Sequence, residues 1–507
     1  MTQQQQDPRF SPSHSRPDSK DPVPMNEPPE HGGHVHLIAI CGVGMAALAG
    51  LLQSRGYRVT GSDEGVYPPM STFLESLGIP VSSGYDATRL DPKPDLVVVG
   101  NAVSRDNPEA RAVLQRGIPS CSFPQALRRF LISGKRSLVV AGTHGKTSTS
   151  SLMAWTLHEA GWDPSYFIGG LPINFSSGFH VGGGPWAVVE GDEYDSAFFD
   201  KGPKFLHYAA ENVILTSLEF DHADIYTDLN QLKGAFVRLM EGLPRTGFVL
   251  ASRGYPAVGE VARSAPCRVA FYGEGDGAAW TAANLPMEQG RVRFEVLYKG
   301  GVEESLTLSQ AGRHNVENAL AVYGMCRELG IDGNTVRQAL GAFAGVRRRQ
   351  EFKGEVGGVT LVDDFAHHPT AIRETVAAVR MAYPGRRLWA VFEPRSQTSR
   401  RKIFEREFSE SLAMADRVIV AGLYHPEKIP ESERLSPAAV AGAICRLAGD
   451  DRALFIENAD DIAGHVAAEA REGDIVLVMS NGGFERVQDK ILSLLRRRVA
   501  ARGSSRS

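Results

Sequence analysis

Ser137-Leu-Val-Val-Ala-Gly-Thr-His-Gly-Lys-Thr-Ser-Thr149 is the stretch on which the reading of this chain turns. The apolar run Leu138 to Ala141 has the length and composition of a buried strand. It breaks at Gly142, passes Gly145 and enters a helical pattern from Ser150 to Leu157. A strand, a glycine-bearing turn and a helix start make an anion site. Free backbone N–H groups and the positive helix end converge there, and glycines let the backbone approach a phosphate. Lys146 adds a full positive charge, and Thr147 a hydroxyl suited to Mg²⁺. The spacing is the short Gly-x-x-Gly-Lys-Thr, with Val140 standing where the general phosphate loop has its first glycine. Gly142, Thr143, His144, Gly145, Lys146, Thr147 and Ser148 are therefore read as a phosphate loop rather than as a turn with an exposed lysine.

Upstream, Val35-His-Leu-Ile-Ala-Ile-Cys-Gly-Val-Gly-Met-Ala-Ala47 is followed by a second strand, Tyr57 to Thr60. Gly42-x-Gly44-x-x-Ala47 after a strand, with Asp63 further on, is the dinucleotide-fold fingerprint. The diphosphate of NAD and that of a UDP-sugar both suit such a helix start, so the ligand stays open at this point. Further strands at Leu96 to Val99 and near Ile118 indicate a doubly wound domain over residues 34–135. Residues 1–33 are rich in Gln, Pro, Ser and Asp and are read as a disordered tail. Met25 suits an alternative translation start.

Downstream, the phosphate loop opens a second α/β domain, residues 136–345. Two of its later strands end in polar groups, where open α/β sheets bind ligands. Ala187-Val-Val-Glu190 runs into Gly-Asp-Glu-Tyr-Asp195, and Val213-Ile-Leu-Thr216 leads to Glu219-Phe-Asp-His222-Ala-Asp224. Residues 245–310 read as short strands and turns forming a small β insertion, and Gly312 opens a helix. A third α/β unit, residues 346–507, carries Val359-Thr-Leu-Val-Asp-Asp364 before Phe-Ala-His-His-Pro369, then Leu388 to Phe392 before Glu393-Pro-Arg395. Arg496-Arg-Arg498 reads as a solvated face.

The totals bound the function class. At 507 residues there is room for two to four domains, and 42% hydrophobic with 22% charged residues is ordinary globular composition. A net charge of −4 argues against a general nucleic-acid binder. The 5 cysteines are scattered without a C-x-x-C pair, which fits reduced thiols. No apolar run reaches membrane-spanning length and no basic-then-apolar export signal opens the chain, so a cytoplasmic enzyme without membrane insertion is expected.

ATP brings several negative charges to one place, and a cation must offset them. Thr147, Glu190 and His222 make a mixed oxygen and nitrogen set suited to Mg²⁺ or Mn²⁺. Asp192, Glu193 and Asp221 are read as acids of which some hold loops through backbone hydrogen bonds. Asp363-Asp364 suits a ribose hydroxyl or a cap of the next helix. His367-His368-Pro369 suits substrate positioning or a helix entry. Arg347-Arg348-Arg349 is a solvated hinge or an arm onto a transferring phosphoryl group. Arg395 suits a bidentate pair with a substrate carboxylate.

These pieces in this order resemble the Mur ligase family, the ATP-dependent amide-forming enzymes of cell-wall peptide synthesis, over roughly residues 34–495. The resemblance rests on Gly142-Thr-His-Gly-Lys-Thr-Ser148, Glu190, Asp221-His222, His314-Asn-Val-Glu-Asn318, Arg349 and Asp364-Phe-Ala-His-His-Pro369. It implies an α/β chain of three domains: an N-terminal Rossmann-like UDP-binding domain, a central P-loop-like ATP-binding domain and a C-terminal Rossmann-like domain. Gly42, Val43, Gly44, Met45 and Asp63 resemble the branch that takes UDP-N-acetylmuramate itself. That branch adds either free L-alanine or, in peptidoglycan recycling, the intact tripeptide L-alanyl-γ-D-glutamyl-meso-diaminopimelate. Gly191-Asp-Glu-Tyr-Asp-Ser-Ala-Phe-Phe-Asp200, Leu218-Glu-Phe-Asp-His-Ala-Asp224 and Phe392-Glu-Pro-Arg-Ser396 resemble the tripeptide-adding activity.

By the same resemblance Lys146 and Thr147 bind ATP phosphates and the first Mg²⁺, and Glu190 and His222 serve the metal. His314, Asn315 and Asn318 line the nucleotide, Asp364 faces its ribose and Arg349 reaches its phosphates. Lys146, His222 and Arg349 are then the catalytic candidates and Arg395 the peptide-binding one. UDP-N-acetylmuramate and a murein tripeptide are the expected substrates, with the chain a monomer or weak homo-oligomer. An L-alanine-adding ligase is the rival within the family. An NAD-dependent oxidoreductase would leave Lys146 unexplained, and a nucleotide-binding regulator would show no substrate-dependent phosphate release.

Overall fold

Apolar runs closed by glycine and polar residues become buried strands, and the helices between them turn one apolar face to a sheet. The computed structural model describes residues 29–504 apart from Asp224 and residues 289–290. The tail expected over residues 1–28 and the Met25 start lie outside the described residues. Two compact units are present. One reaches to Ala126 and takes in Ser196–Lys201; the other holds Leu127–Asp195 and the chain from Gly202. The class is α/β, as expected, and each main sheet is built mostly of parallel strands.

In the first unit five parallel strands lie in the order Val81–Ser83, Arg58–Asp63, His34–Ile38, Leu96–Val99, Ser120–Ser122. The order reverses between His34–Ile38 and Leu96–Val99, which is the switch point where a doubly wound sheet opens its ligand crevice. Helix Val43–Ser54 starts there, behind Gly42. The chain re-enters this unit late, where Phe198 and Phe199 pack on a core containing Ile38, Val97, Val99 and Val113.

The second unit contains two sheets. At the centre of the larger one, parallel strands run in the order Phe248–Ser252, Asn212–Leu215, Arg136–Ala141, Trp186–Gly191, Ser165–Phe167. The phosphate-loop strand is thus flanked by the strand ending near Glu190 and by the strand leading to His222. Residues 245–310 are not a separate β insertion. Strand Phe248–Ser252 is buried throughout and must lie inside a sheet, and helix Pro256–Ala262 follows it. The later strand Arg291–Tyr298 alternates exposed and buried residues, so it extends the same sheet as an antiparallel margin.

The smaller sheet has six strands, ordered Glu351–Val356, Val359–Asp364, Ile475–Met479, Leu388–Phe392, Arg417–Ala421, Ala453–Ile456, of which only the first is antiparallel to its neighbour. Arg498, expected on a solvated face, instead donates to the carbonyls of Ala467 and Ala470. It thereby satisfies carbonyls at the end of helix Ala459–Glu469 that have no partner within the helix. Among the described residues no helix is long and apolar enough to cross a membrane.

Candidate active site

The phosphate loop closes because two positions carry no side chain. Gly142 has φ +135°, and a Cβ there would collide with Thr216 Oγ1. Gly145 has φ +79°, and a Cβ there would lie 2.8 Å from Asn318 Oδ1. Both conformations favour glycine. Helix Lys146–Glu159 then begins with its first turn turned toward the loop. Thr143 Oγ1 donates to the Glu219 carbonyl at 3.0 Å, and the His144 N–H donates to Ser217 Oγ at 2.7 Å. The loop is therefore laced to the segment that follows the neighbouring strand.

Three strand ends bring the sequence-predicted groups together. Lys146 Nζ donates to the Gly142 carbonyl at 2.6 Å and to Glu193 Oε2 at 2.9 Å. Thr147 Oγ1 donates to Glu190 Oε1 at 2.8 Å, while Glu190 Oε2 accepts the Gly169 N–H at 2.8 Å. Arg349 Nη2 reaches Thr147 Oγ1 at 3.3 Å. His222 is held at φ +57°, an uncommon conformation for a residue with a Cβ. Its Nε2 lies 3.0 Å from Glu193 Oε1, and the Tyr194 ring sits 4.1 Å from its own. Ser148 lies on the same helix turn, partly exposed.

Electrostatics organise this cluster. Burial disfavours both charges of the Lys146–Glu193 pair, yet each partner holds the other ionised: the lysine pKa is raised and the carboxyl pKa lowered. Burial also works against a charged His222, but Glu193 and Asp221 raise its pKa. Asp192 pairs with Lys204 Nζ at 2.7 Å. Of the acids read as loop holders, Asp221 fits that reading, since it accepts the His222 N–H at 2.7 Å. Glu193 differs: its side chain is spent on Lys146 and His222. No local pattern singles it out among neighbouring acids.

Donor chemistry tests whether a divalent metal fits. Thr147 Oγ1 and Glu190 Oε1 are hard oxygen donors beside the phosphate loop, and His222 Nδ1 has no hydrogen-bond partner among the described residues. By donor type each of these atoms suits Mg²⁺ or Mn²⁺.

The nucleotide candidates fall into two groups. His314 Nδ1 is buried without a hydrogen-bond partner among the described residues. Burial and then Arg349 push its pKa down to about 4, so the ring is neutral. Asn318 Oδ1 accepts from Thr149 Oγ1 at 3.0 Å beside Gly145. Asn315, by contrast, turns its amide onto the Ala311 carbonyl at 2.7 Å. Asp364 accepts the N–H groups of Gln350 and Ala366, both at 2.8 Å, and so holds two loops. Of the three consecutive arginines, Arg348 binds the carbonyls of Ser480 and Gly482, and only Arg349 reaches the phosphate loop.

His144 Nε2 lies 2.8 Å from Glu219 Oε2, and the His368 ring is 4.8 Å from that of His144. Both nitrogens of His368 are engaged, by the Thr370 N–H and by the Phe220 carbonyl, each at 3.3 Å. The group therefore ties the loop to the helix Pro369–Ala382 rather than presenting a ligand set. Arg395 lies over the Tyr424 ring at 3.5 Å and 3.5 Å from Glu393 Oε1.

In the first unit Gly42 caps helix Val43–Ser54, Val43 is exposed, Gly44 packs near Phe123 and Met45 is buried. Asp63 accepts the Cys41 and Gly65 N–H groups, both at 2.8 Å, and fixes the turn behind the first strand.

Comparison with known proteins agrees with this architecture. Residues 34–134 match the model of the Mur ligase family catalytic domain, 186–326 the Mur ligase middle domain and 348–482 the Mur ligase glutamate ligase domain. The chain belongs to the Mur ligase family. It is 40% identical over 473 residues to the UDP-N-acetylmuramate–L-alanyl-γ-D-glutamyl-meso-2,6-diaminoheptandioate ligase of Escherichia coli K12, covering 92% of this chain and 99% of that protein. It is 38% identical over 472 residues to a UDP-N-acetylmuramate–L-alanine ligase of Kineococcus radiotolerans, covering 92% and 97%. Among solved structures it is similar to a murein peptide ligase from Psychrobacter arcticus, with TM-score 0.69 and 34% identity over 92% of this chain and 99% of that one.

Proposed function

We propose that this chain is an ATP-dependent ligase that joins UDP-N-acetylmuramate to the tripeptide L-alanyl-γ-D-glutamyl-meso-diaminopimelate through an amide bond. The observation that carries the reading is the convergence of Lys146, Thr147, Glu190 and His222 past the ends of adjacent parallel strands, with Arg349 reaching Thr147 from the turn just before strand Glu351–Val356. Preference for the tripeptide over L-alanine rests on the similarity to the E. coli and P. arcticus proteins and on Tyr194, Phe220 and Arg395 in the stretches quoted above.

The chemistry follows from the groups present. Hydroxide is a poor leaving group, so the lactyl carboxylate must be activated before an amine displaces it. The γ-phosphoryl group of ATP passes to that carboxylate, giving an acyl phosphate and ADP. The tripeptide α-amine then attacks the carbonyl carbon, phosphate leaves and the amine loses a proton. Lys146 and Arg349 offset the repulsion between the two anions. Thr147, Glu190 and His222 would hold Mg²⁺, which supplies further charge neutralisation when bound. His314 and Asn318 line the nucleotide, and Arg395 takes a peptide carboxylate. Gly42, Val43 and Gly44 face the diphosphate of the sugar nucleotide.

Phosphate release by the purified full chain tests the reading. Release is expected with ATP, Mg²⁺, UDP-N-acetylmuramate and the tripeptide together, and only weakly when L-alanine replaces the tripeptide. Equal or better turnover with L-alanine would assign the chain to the alanine-adding activity.

A further inference from the structure

Glu193 stands apart from the other acids near the phosphate loop. Its side chain is 0% exposed, and its carboxylate bridges two groups from different strand ends: Lys146 Nζ at 2.9 and 3.2 Å and His222 Nε2 at 3.0 Å. Tyr226 Oη donates to the Glu193 backbone carbonyl at 2.7 Å and fixes the residue from a third direction. A fully buried carboxylate is costly to keep ionised, and here Lys146 and His222 together offset that cost, so the three side chains hold one another in place. Because Glu193 occupies Nε2 of His222, the ring can turn only Nδ1 toward a metal. Because Glu193 also anchors the lysine, the Lys146 ammonium is held over the loop, beside the Gly142 carbonyl, before any phosphate arrives.

We propose that Glu193 is a positioning residue that sets the orientations of Lys146 and His222 together, and so couples metal binding to binding of the nucleotide's phosphates in this site. The inference rests on the ligase reading for the identity of the nucleotide. It goes beyond that reading in assigning the coupling to a residue that itself touches neither substrate nor metal. The physical basis is an outer-shell hydrogen bond to a metal-ligating imidazole, shared with the neighbouring cation. A neutral amide keeps the shape of Glu193 but loses the charge that orients both partners.

The test compares the unmodified chain with Glu193→Gln and Glu193→Asp. Calorimetry would measure the affinity for ADP without metal and again with Mn²⁺, and electron paramagnetic resonance would follow Mn²⁺ directly. In Glu193→Gln the gain in ADP affinity on adding Mn²⁺ is expected to shrink by about tenfold or more, as for other outer-shell losses. Metal-free ADP affinity should change much less than the Mn²⁺ gain, since Lys146 loses its orienting partner and a competing anion at once, and Glu193→Asp should recover part of the gain. An unchanged Mn²⁺ gain in Glu193→Gln would overturn the proposal. So would equal weakening of both affinities, which would mark a merely structural role. Both readouts are binding measurements, so they stand even if the tripeptide assay fails, and the two readings are decided separately.

Discussion

In the proposed mechanism Lys146 is the side chain on which the chemistry most depends. Its ammonium is held by the Gly142 carbonyl at 2.6 Å and by Glu193, with only 12% of the side chain exposed. Removing it takes away a preorganised positive charge where anionic charge gathers. Lys146→Ala should therefore lower turnover by about 10²–10³-fold, the range for loss of one electrostatic stabiliser. It should also lower stability, because Glu193 is left buried without its cation. Steady-state phosphate release read beside a urea titration separates the effects: near-normal turnover in a folded variant would remove Lys146 from the mechanism. Lys146 was legible in the sequence because its loop, helix start and hydroxyl neighbours are contiguous. Glu193 was not, since its partners lie 47 and 29 residues away and nothing between them marks the pairing.

Among elements, the clearest dependence is in the first unit, where Glu109 on helix Pro108–Arg116 is wholly buried. It accepts from Ser62 Oγ at the end of one strand, faces His36 Nε2 at 3.4 Å on the next and accepts the Asp86 N–H at 3.0 Å. Burial alone would raise its pKa, but the hydrogen bonds from His36, Ser62 and Asp86 outweigh it and leave the value below 4.5. A depressed folded-state pKa stabilises the fold above the unfolded-state value, and the contribution is lost as pH falls through the folded one. The first unit should therefore lose stability on acidification below about pH 4.5. Glu109→Gln should cost about 1–3 kcal/mol near neutrality, the range for disturbing a buried hydrogen-bonded group, and should flatten that acid limb. Chemical denaturation at several pH values is the check, and an unchanged limb would contradict the assignment.

On the scale of the whole molecule, the first unit is discontinuous in sequence. The chain completes the second unit's strand Trp186–Gly191 and the Asp192–Asp195 segment before Ser196–Lys201 returns to the first unit. Phe198 and Phe199, with ring centroids 5.0 Å apart, pack against that unit's core. Both rings are half-buried at the edge of that core, so replacing both with Ala should destabilise the first unit by about 2–5 kcal/mol, the scale of one full large-to-small core change. ADP binding, whose proposed groups all lie in the second unit, should be retained. Differential scanning calorimetry with and without ADP would show this, and loss of ADP affinity in the folded double variant would contradict it.

The sequence by itself determined what is local: the α/β class, the glycine-bearing strand–loop–helix from Gly142 to Ser148, the Gly42–Gly44 turn and the polar segments around Glu190 and His222. Each is written in a few adjacent residues whose backbone and side-chain chemistry act over one turn or one strand. Only the tertiary structure decided which strands flank Arg136–Ala141, that residues 245–310 extend the sheet, and which acid bridges Lys146 to His222. Parallel strands pair across long crossovers, so neither their order nor the contacts at their ends has a local signature, and burial selects among chemically similar acids only once the sheet is assembled.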